Sequence, residues 1–262
     1  MSALPRVPGF EVEGLLGRGG MGTVYRAREV VTRRGVALKW LPAHAKPEQR
    51  ARFEREARAA ATLEHPHVVR VHAAGTDANG CWIAMELVEG FDLAEAIEAR
   101  SLDQRVAVEI VAKVARALEA AHAAGIVHRD VKPANIMVDE KGEPRLVDFG
   151  LASIVRDAAP PLTRPNTILG TVAYMSPEVA SSGALVATAA SDVFSLGCVL
   201  YEVLTGRLPF AAPTAVESMV RLISGEMDPF DEKTPPSLAA ACRRALARDP
   251  AARPRAGDLA SE

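Results

Sequence analysis

The sequence has little in common with secreted, membrane-spanning or nucleic-acid-binding proteins. Its only cysteines, Cys81, Cys198 and Cys242, lie far apart in apolar surroundings, without the spacing of a disulfide framework or a zinc site. No stretch reaches the roughly 18 apolar residues of a membrane span, and the first residues lack a signal-peptide core. The net charge of −2 gives no reason to expect nucleic acid as a partner.

These absences favour a protein of the cytoplasm, or the cytoplasmic domain of a longer membrane-anchored protein. Lysine is scarce too, because only 6 of the 31 basic residues are lysines and the rest are arginines. Two of the six, Lys39 and Lys132, lie within the motifs described below.

The apolar pattern changes its character near Val88. Before this point it predicts mainly strands, at 10–16, 22–29, 36–41, 68–73 and 81–88, and one helix opened by Pro47 at 47–63. Beyond Gly90 it predicts mainly helices, at 93–99, 106–124, 193–204, 215–224 and 238–247. This pattern indicates an α+β fold with a small β-rich lobe and a larger helical lobe, hinged at a cleft where ligands commonly bind.

A glycine-rich segment lies between the first two predicted strands. Gly17, Gly19 and Gly22 form a G-x-G-x-x-G pattern that also contains Gly20. Glycines let backbone N–H groups approach phosphate oxygens closely. Dinucleotide-binding folds share the pattern but continue into a helix, whereas strand formers follow here. The glycines alone leave open a hairpin without a ligand.

The most informative stretch is His128–Asn135, followed by Asp148-Phe149-Gly150. Phosphoryl transfer needs an acceptor for the substrate hydroxyl proton, a cation for the transferred group and oxygen ligands for a metal. Asp130, Lys132, Asn135 and Asp148 supply these groups in that order. Each alone has a structural alternative, such as a capping Asp or a turn Asn, so the argument depends on their joint order and spacing.

These motifs resemble the catalytic core of protein kinases, and the resemblance covers nearly the whole chain. The glycine-rich segment, His128–Asn135 and Cys198–Gly206 are most similar to those of bacterial, eukaryotic-like (Hanks-type) serine/threonine kinases. The resemblance implies one kinase domain over 1–262, with an N-lobe at 10–87, a hinge at 88–90 and a C-lobe at 91–262. It also implies protein substrates, ATP as phosphoryl donor and Mg²⁺ as metal, with Mn²⁺ as an alternative.

The resemblance further implies an ATP site. Its phosphates would lie under Gly17, Gly19, Gly20 and Gly22, and its base under an apolar roof of Leu16, Val24 and Ala37. Met85 would be the gatekeeper, and Glu86 and Val88 would offer backbone hydrogen bonds at the hinge.

Lys39 would contact the α- and β-phosphates and pair with a glutamate of the following helix. Helical spacing puts Glu56 in the apolar stripe of that helix and Glu54 on its flank, so Glu56 is the predicted partner. The alternative is a solvated pair between Glu56 and Arg52.

Further positions follow from the resemblance. Asp192 would brace the backbone of the catalytic loop, Glu178 would form a buried ion pair with Arg253, and Thr171 would bond Asp130 and Lys132. His128 is expected to be a structural residue.

Arg129, directly before Asp130, is typical of kinases that are activated by phosphorylation. Thr163, and after it Thr167, are the predicted phosphosites, modified by autophosphorylation through a transient homodimer. Exposed threonines without a role are the alternative.

Two other functions compete with a protein kinase. A catalytically silent nucleotide-binding pseudokinase should lack one of Lys39, Asp130, Asn135 and Asp148, but all are present. A small-molecule phosphotransferase should lack a segment like Gly170–Glu178, which resembles a platform for a peptide substrate.

Overall fold

The computed structural model describes residues 4–19, 22–149 and 173–261, except for the side chains of Arg52, Glu56 and Ala59. The chain divides into two compact units, one up to Glu89 and the other from Gly90 onwards. The division falls within the predicted hinge at 88–90. We call them the N-terminal unit and the C-terminal unit.

The N-terminal unit is an antiparallel sheet with one helix. Its elements are β1 (Phe10–Gly19), β2 (Gly22–Glu29), β3 (Gly35–Pro42), α1 (Pro47–Ala61), β4 (Val71–Thr76) and β5 (Gly80–Glu86). The strand order is β1-β2-β3-β5-β4. One face of the sheet carries an apolar core around Ala27, Val36, Leu38 and Ala84, onto which Trp82 packs. Because strand side chains alternate between faces, the residues between these positions point to the other face.

The fourth strand begins later than predicted. The expected strand at 68–73 included Val68 and Val69, which are indeed buried. The N–H of Val68, however, donates to the carbonyl of His65 at 3.1 Å, so this stretch forms a turn. Val68 and Val69 are apolar because they are buried, and this made the stretch resemble a strand. The pairing of β4 with β5 starts only at Val71.

The C-terminal unit is mainly helical, with a small three-stranded sheet in the order β6-β7-β8. Its strands are β6 (Gly90–Asp92), β7 (Ile136–Asp139) and β8 (Pro144–Leu146). Its helices are α2 (Leu93–Glu98), α3 (Gln104–Ala123), α4 (Pro177–Ser182), α5 (Ala189–Thr205), α6 (Ala215–Ser224), α7 (Pro236–Ala245) and α8 (Ala256–Leu259). Among these described helices, none combines the length and the hydropathy that crossing a membrane requires.

Helices α3 and α5 form the centre of this unit. Ile110, Val114 and Leu118 recur at helical spacing along α3 and are almost completely buried. Helix α5 is buried on nearly all sides, including the polar Ser191 and Asp192 of its first turn. Buried polar groups need partners, and those of Asp192 connect this core to the candidate site.

Candidate active site

The predicted catalytic residues lie together on the loop before β7. The ammonium Nζ of Lys132 donates to Oδ2 of Asp130 at 2.7 Å. The amide Nδ2 of Asn135 donates to the same Oδ2 at 3.0 Å and to the Asp130 carbonyl at 2.8 Å. The loop thus holds a carboxylate, a cation and an amide in direct contact. The Asp130 side chain keeps 17% of its surface exposed, so a substrate can reach it.

The hairpin of β7 and β8 brings Asn135 and Asp148 to the same end of the small sheet. Ile136 pairs with Leu146, and the N–H of Val147 donates to the carbonyl of Asn135 at 3.0 Å. Asp148 follows directly, with a left-handed backbone at φ 61°. Residues 13 apart in sequence are therefore neighbours in the fold.

These two residues offer oxygen atoms of the kind that bind a hard divalent cation. Magnesium prefers hard oxygen ligands and usually takes only one or two protein groups together with phosphate oxygens and water. Both hydrogen bonds of the Asn135 side chain use its nitrogen Nδ2, so its oxygen Oδ1 remains available for a cation. No cluster of three or more His, Cys, Asp or Glu side chains occurs among the described residues. The donor set therefore suits a metal that is shared with a phosphorylated ligand.

His128 is a structural residue in this arrangement. Its ring is fully buried, and Nε2 lies 2.9 Å from the carbonyl of Val147, to which it must donate. Nδ1 then accepts the N–H of Asp130 at 3.2 Å. Phe149 packs against the ring, with 4.6 Å between centroids. Because both nitrogens are engaged, His128 positions Asp130 and Phe149 and has no nitrogen left for a substrate proton.

Asp192 contacts the same loop from helix α5. Its Oδ1 accepts the N–H of Arg129 at 2.7 Å, and its Oδ2 accepts the N–H of His128 at 2.8 Å. The backbone of Arg129 is left-handed at φ 68°, which is uncommon for a long side chain. The buried carboxylate therefore holds a strained residue directly beside Asp130.

Glu178 and Arg253 form a two-bond ion pair. Nη1 and Nη2 of Arg253 donate to the two carboxylate oxygens, each at 2.8 Å, and Ser191 donates to Oε1 at the same distance. Burial alone would raise the pKa of Glu178, but the bonds from Arg253, a backbone N–H and Ser191 overcome this effect and lower the pKa to about 2. Helix α4 is thereby tied to α5 and to the segment before α8.

A second pair beside the loop, Tyr174 and Glu202, was not predicted from the sequence. The hydroxyl of Tyr174 donates to Glu202 Oε2 at 2.6 Å. Burial, and after it the Glu202 charge, raises the pKa of Tyr174, and burial also raises the pKa of Glu202. Tyr174 lines a depression next to Asp130, together with Met175, Ser176 and Val179.

The predicted nucleotide-binding residues of the N-terminal unit share one face of its sheet. The register places Val24, Lys39 and Ile83 in one row and Arg26, Ala37 and Met85 in the next. This face is opposite the apolar core described above. Lys39 is 4% exposed and Met85 is 8% exposed, so a charged and an apolar group lie close together.

The ends of this face are less enclosed. Leu16 is 48% exposed, and Val88 lies beyond the last residue of β5. The N–H of Glu86 already donates to the carbonyl of Arg70 at 2.8 Å. The backbone N–H of Glu86 is therefore already engaged within the protein.

The glycine-rich segment is the hairpin between β1 and β2. Gly17 pairs with Val24 and Gly19 with Gly22, and an irregularity lies between Leu15 and Gly17. Gly22 has φ +142°, and a Cβ there would lie 2.7 Å from the carbonyl oxygen of Trp40. Only glycine fits this position without strain.

Several predicted residues lie outside the described part of the chain. They are Gly20, Thr163, Thr167 and Thr171, together with the side chain of Glu56. The predicted partner of Lys39, the phosphosites and the role of Thr171 therefore stay predictions.

Comparison with known proteins agrees with this site. The protein kinase domain model matches residues 10–262, and the chain belongs to this family. It is 39% identical to the serine/threonine-protein kinase PknJ of Mycobacterium tuberculosis, over 92% of this chain and 42% of that protein. It is 40% identical to the serine/threonine-protein kinase pkn3 of Myxococcus xanthus, over 94% of this chain and 47% of that protein.

A third relative is the serine/threonine-protein kinase PrkC of Bacillus subtilis, 36% identical over 92% of this chain and 38% of that protein. The chain thus spans less than half the length of these relatives. The predicted resemblance to bacterial serine/threonine kinases and the α+β kinase fold are confirmed. Family membership implies ATP and a divalent metal in general terms.

Proposed function

We propose that this protein is a serine/threonine protein kinase, which transfers the γ-phosphoryl group of ATP to hydroxyl groups of protein substrates. The observation that carries the proposal is the Lys132–Asp130–Asn135 contact group in a chain of the protein kinase family. The relatives that are named serine/threonine-protein kinases support the same activity.

In this proposal Asp130 orients the substrate hydroxyl and accepts its proton. Both side-chain bonds to Asp130 end on Oδ2, which leaves Oδ1 to accept the hydroxyl hydrogen. Lys132 keeps 24% of its side-chain surface exposed and carries a positive charge that can stabilise the transferred phosphoryl group. Two charges of opposite sign thus flank the position of transfer.

Asn135 and Asp148 are the proposed ligands of Mg²⁺, which would neutralise phosphate charge during transfer. Lys39, paired with Glu56, is the proposed contact for the α- and β-phosphates, and Gly17–Gly22 the proposed backbone cradle. The proposed adenine-binding residues are Leu16, Val24, Ala37, Met85, Glu86 and Val88. All three cysteines are free and buried, which supports a reducing compartment such as the cytoplasm.

The decisive test is transfer of labelled γ-phosphate from ATP with Mg²⁺, comparing the wild type with Asp130→Asn. Asparagine keeps the shape but cannot accept the proton, so we expect the rate to fall at least about 100-fold. The label is followed on the protein's own threonines and on a generic basic protein acceptor.

The control is ATP affinity, which should change little because Asp130 is proposed to act on the hydroxyl. If the wild type binds ATP but neither variant transfers phosphate, a pseudokinase replaces the proposed kinase. If Asp130→Asn transfers as fast as the wild type, the role of Asp130 is wrong.

We further propose activation by autophosphorylation at Thr163 and Thr167 through a transient homodimer. The support is Arg129, a cation directly before Asp130 that can bond a phosphate. Mass spectrometry of active protein should find phosphate on Thr163 first. Full activity with both threonines unmodified would contradict this proposal.

A further inference from the structure

An ion pair joins strand β2 to the segment that follows β5. Nη1 of Arg26 lies 2.9 Å from Oε1 of Glu89, although the two residues are 63 positions apart in the sequence. Arg26 belongs to β2, whereas Glu89 lies beyond the end of β5, in a stretch that belongs to no strand or helix. Both residues are part of the N-terminal unit. The pair therefore attaches a segment outside the sheet to one of its strands.

The pair lies at the edge of the proposed base-binding residues. Arg26 pairs with Ala37 across the ladder of β2 and β3, so the two residues stand in one row. Strand side chains alternate between faces, so Arg26 also shares the face of Val24, the proposed roof residue of β2. Glu89 directly follows Val88, the last of the proposed hinge residues. A nucleotide base between this roof and Val88 would therefore have the ion pair along one side.

A second ion pair on β2 shows why this one matters. Nε of Arg28 lies 3.0 Å from Oε1 of Glu13, which belongs to β1. Strands β1 and β2 are already joined by a backbone ladder along their whole length, so this second pair adds little to their positions. The ladder between β3 and β5 ends at Glu86. The bond between Arg26 and Glu89 thus acts where the backbone pairing of the sheet has stopped.

Solvent limits the strength of the pair. The side chains of Arg26 and Glu89 are 42% and 60% exposed. Exposed ion pairs change an equilibrium constant by no more than about fivefold, and dissolved salt weakens them further. A contact of this strength opens often enough for a nucleotide to enter and leave, yet it favours the arrangement in which the segment is held against β2.

We infer that Arg26 and Glu89 are positioning residues, whose ion pair holds the hinge segment at 87–89 against β2 and so slows the release of a bound nucleotide. The inference rests on the proposed ATP site, but it concerns binding and can be measured without phosphate transfer. Removing either charge breaks the pair, so both changes should speed release. A long-range action on the nucleotide phosphates would instead make the two changes act in opposite directions, because one removes a positive and the other a negative charge.

The test measures the release of the fluorescent nucleotide N-methylanthraniloyl-ADP by stopped flow, with Mg²⁺ and about 50 mM salt, so that screening is weak. Arg26→Gln and Glu89→Gln should each raise the dissociation rate constant about two- to fivefold. The double variant Arg26→Glu/Glu89→Arg reverses the pair and should restore most of the wild-type value. Arg28→Gln is the matched control, which removes an arginine of the same strand and should leave the rate constant unchanged. In about 0.5 M salt the wild type should approach the single variants, because salt screens the pair.

Several outcomes overturn the inference. They are an unchanged release rate in Arg26→Gln and Glu89→Gln, opposite changes in these two variants, an equal change in Arg28→Gln, and a reversed pair that releases as fast as the single variants. Calorimetry with unlabelled ADP should show dissociation constants raised by the same factor, and equal constants would overturn the inference as an effect of the label. If the wild type binds ADP but transfers no phosphate, the kinase proposal fails, while the release rates still decide the role of the pair. A wild type that binds no nucleotide overturns both.

Discussion

The two units position their candidate site residues by different means. In the N-terminal unit, Val24, Lys39, Ala37 and Met85 share a face because continuous ladders pair β2, β3 and β5. In the C-terminal unit, Asp130 follows a residue with a left-handed backbone that a few side chains hold in place. Asp148 has a left-handed backbone itself.

This difference has an energetic consequence. A ladder spreads the task of positioning over many backbone bonds, each contributing about 1 kcal/mol, so the loss of one side chain changes little elsewhere. Asp192 is instead a node, by which we mean one buried carboxylate that accepts several hydrogen bonds and so holds the loop by itself. Single substitutions at nodes of the C-terminal unit should therefore have larger and more distant effects than substitutions on the strands.

The largest effect is expected for Asp192→Ala. It leaves two backbone N–H groups and the His122 N–H without their acceptor, at a cost of about 4 kcal/mol in unfolding free energy. Because Arg129 is no longer held, phosphate transfer should fall at least about 100-fold. Urea unfolding and initial rates measure the two effects.

The N-terminal counterpart of this substitution is Ala84→Gly, because Ala84 is a buried residue of β5 with 1% of its surface exposed. This change should cost about 1 kcal/mol and leave the transfer rate per folded molecule nearly unchanged. A larger loss of rate for Ala84→Gly than for Asp192→Ala would show that the ladders are as fragile as the node.

The second-largest loss of unfolding free energy is expected for Arg253→Met. The Arg253 side chain is fully buried, and its removal leaves Glu178 with a partly buried, uncompensated charge, at a cost of about 3 kcal/mol. The double variant Arg253→Met/Glu178→Gln should recover part of this loss, because no charge is then stranded. A double variant that equals the sum of its single changes contradicts the coupling.

The same pair predicts an acid-dependent loss of stability. The pKa of Glu178 is about 2 in the fold, against an ordinary value of 4.5, so the folded state favours the carboxylate. Its contribution is fully present above about pH 4.5 and is lost as the pH falls towards 2. Urea unfolding between pH 6 and about 3 should show a flatter pH profile for Arg253→Met than for the wild type.

A smaller effect is expected at the glycine hairpin. Gly22→Ala places a Cβ against the Trp40 carbonyl at a positive φ, which should cost about 1–2 kcal/mol and raise KM for ATP. Gly14→Ala is the control, because a Cβ at Gly14 would meet nothing within 4 Å. If Gly14→Ala changes KM for ATP as much as Gly22→Ala does, the close approach of Gly22 to the Trp40 carbonyl does not explain the change in KM.

Local signals predicted a large part of the fold. The bounds of α6 were predicted correctly because Thr214 caps its first turn through the N–H of Glu217 and Gly225 ends it in the left-handed conformation. The bounds of β2 were also correct, since strand formers fill it between Gly22 and Glu29. Strand β6 was missed because 3 residues carry no readable period, and the short helix α4 was missed as well.

Local spacing did not predict the supporting contacts of the site, although the family resemblance implied that Asp192 braces the loop and that Glu178 pairs with Arg253. Asp130, Lys132 and Asn135 are close in sequence, so their spacing already indicated a common site. His122 and Asp192 are 70 positions apart, and Tyr174 and Glu202 are 28 apart, so only the packing of helices brings each pair together. His122 follows Leu118 by one turn on the buried face of α3, and this was the one available signal.

The smallest effects are expected for exposed ion pairs, one in each unit. Glu11 and Arg33 pair at 3.0 Å in the N-terminal unit, and Arg207 and Asp231 pair at 3.0 Å in the C-terminal unit. All four side chains are about half exposed, so solvent screens both pairs. Glu11→Gln and Asp231→Asn should therefore each change the unfolding free energy by less than about 1 kcal/mol, measured by urea unfolding. A clearly larger loss of unfolding free energy for Asp231→Asn would mean that the C-terminal unit is sensitive to substitution throughout. Equal small losses would mean that its sensitivity to substitution lies in buried residues such as Asp192.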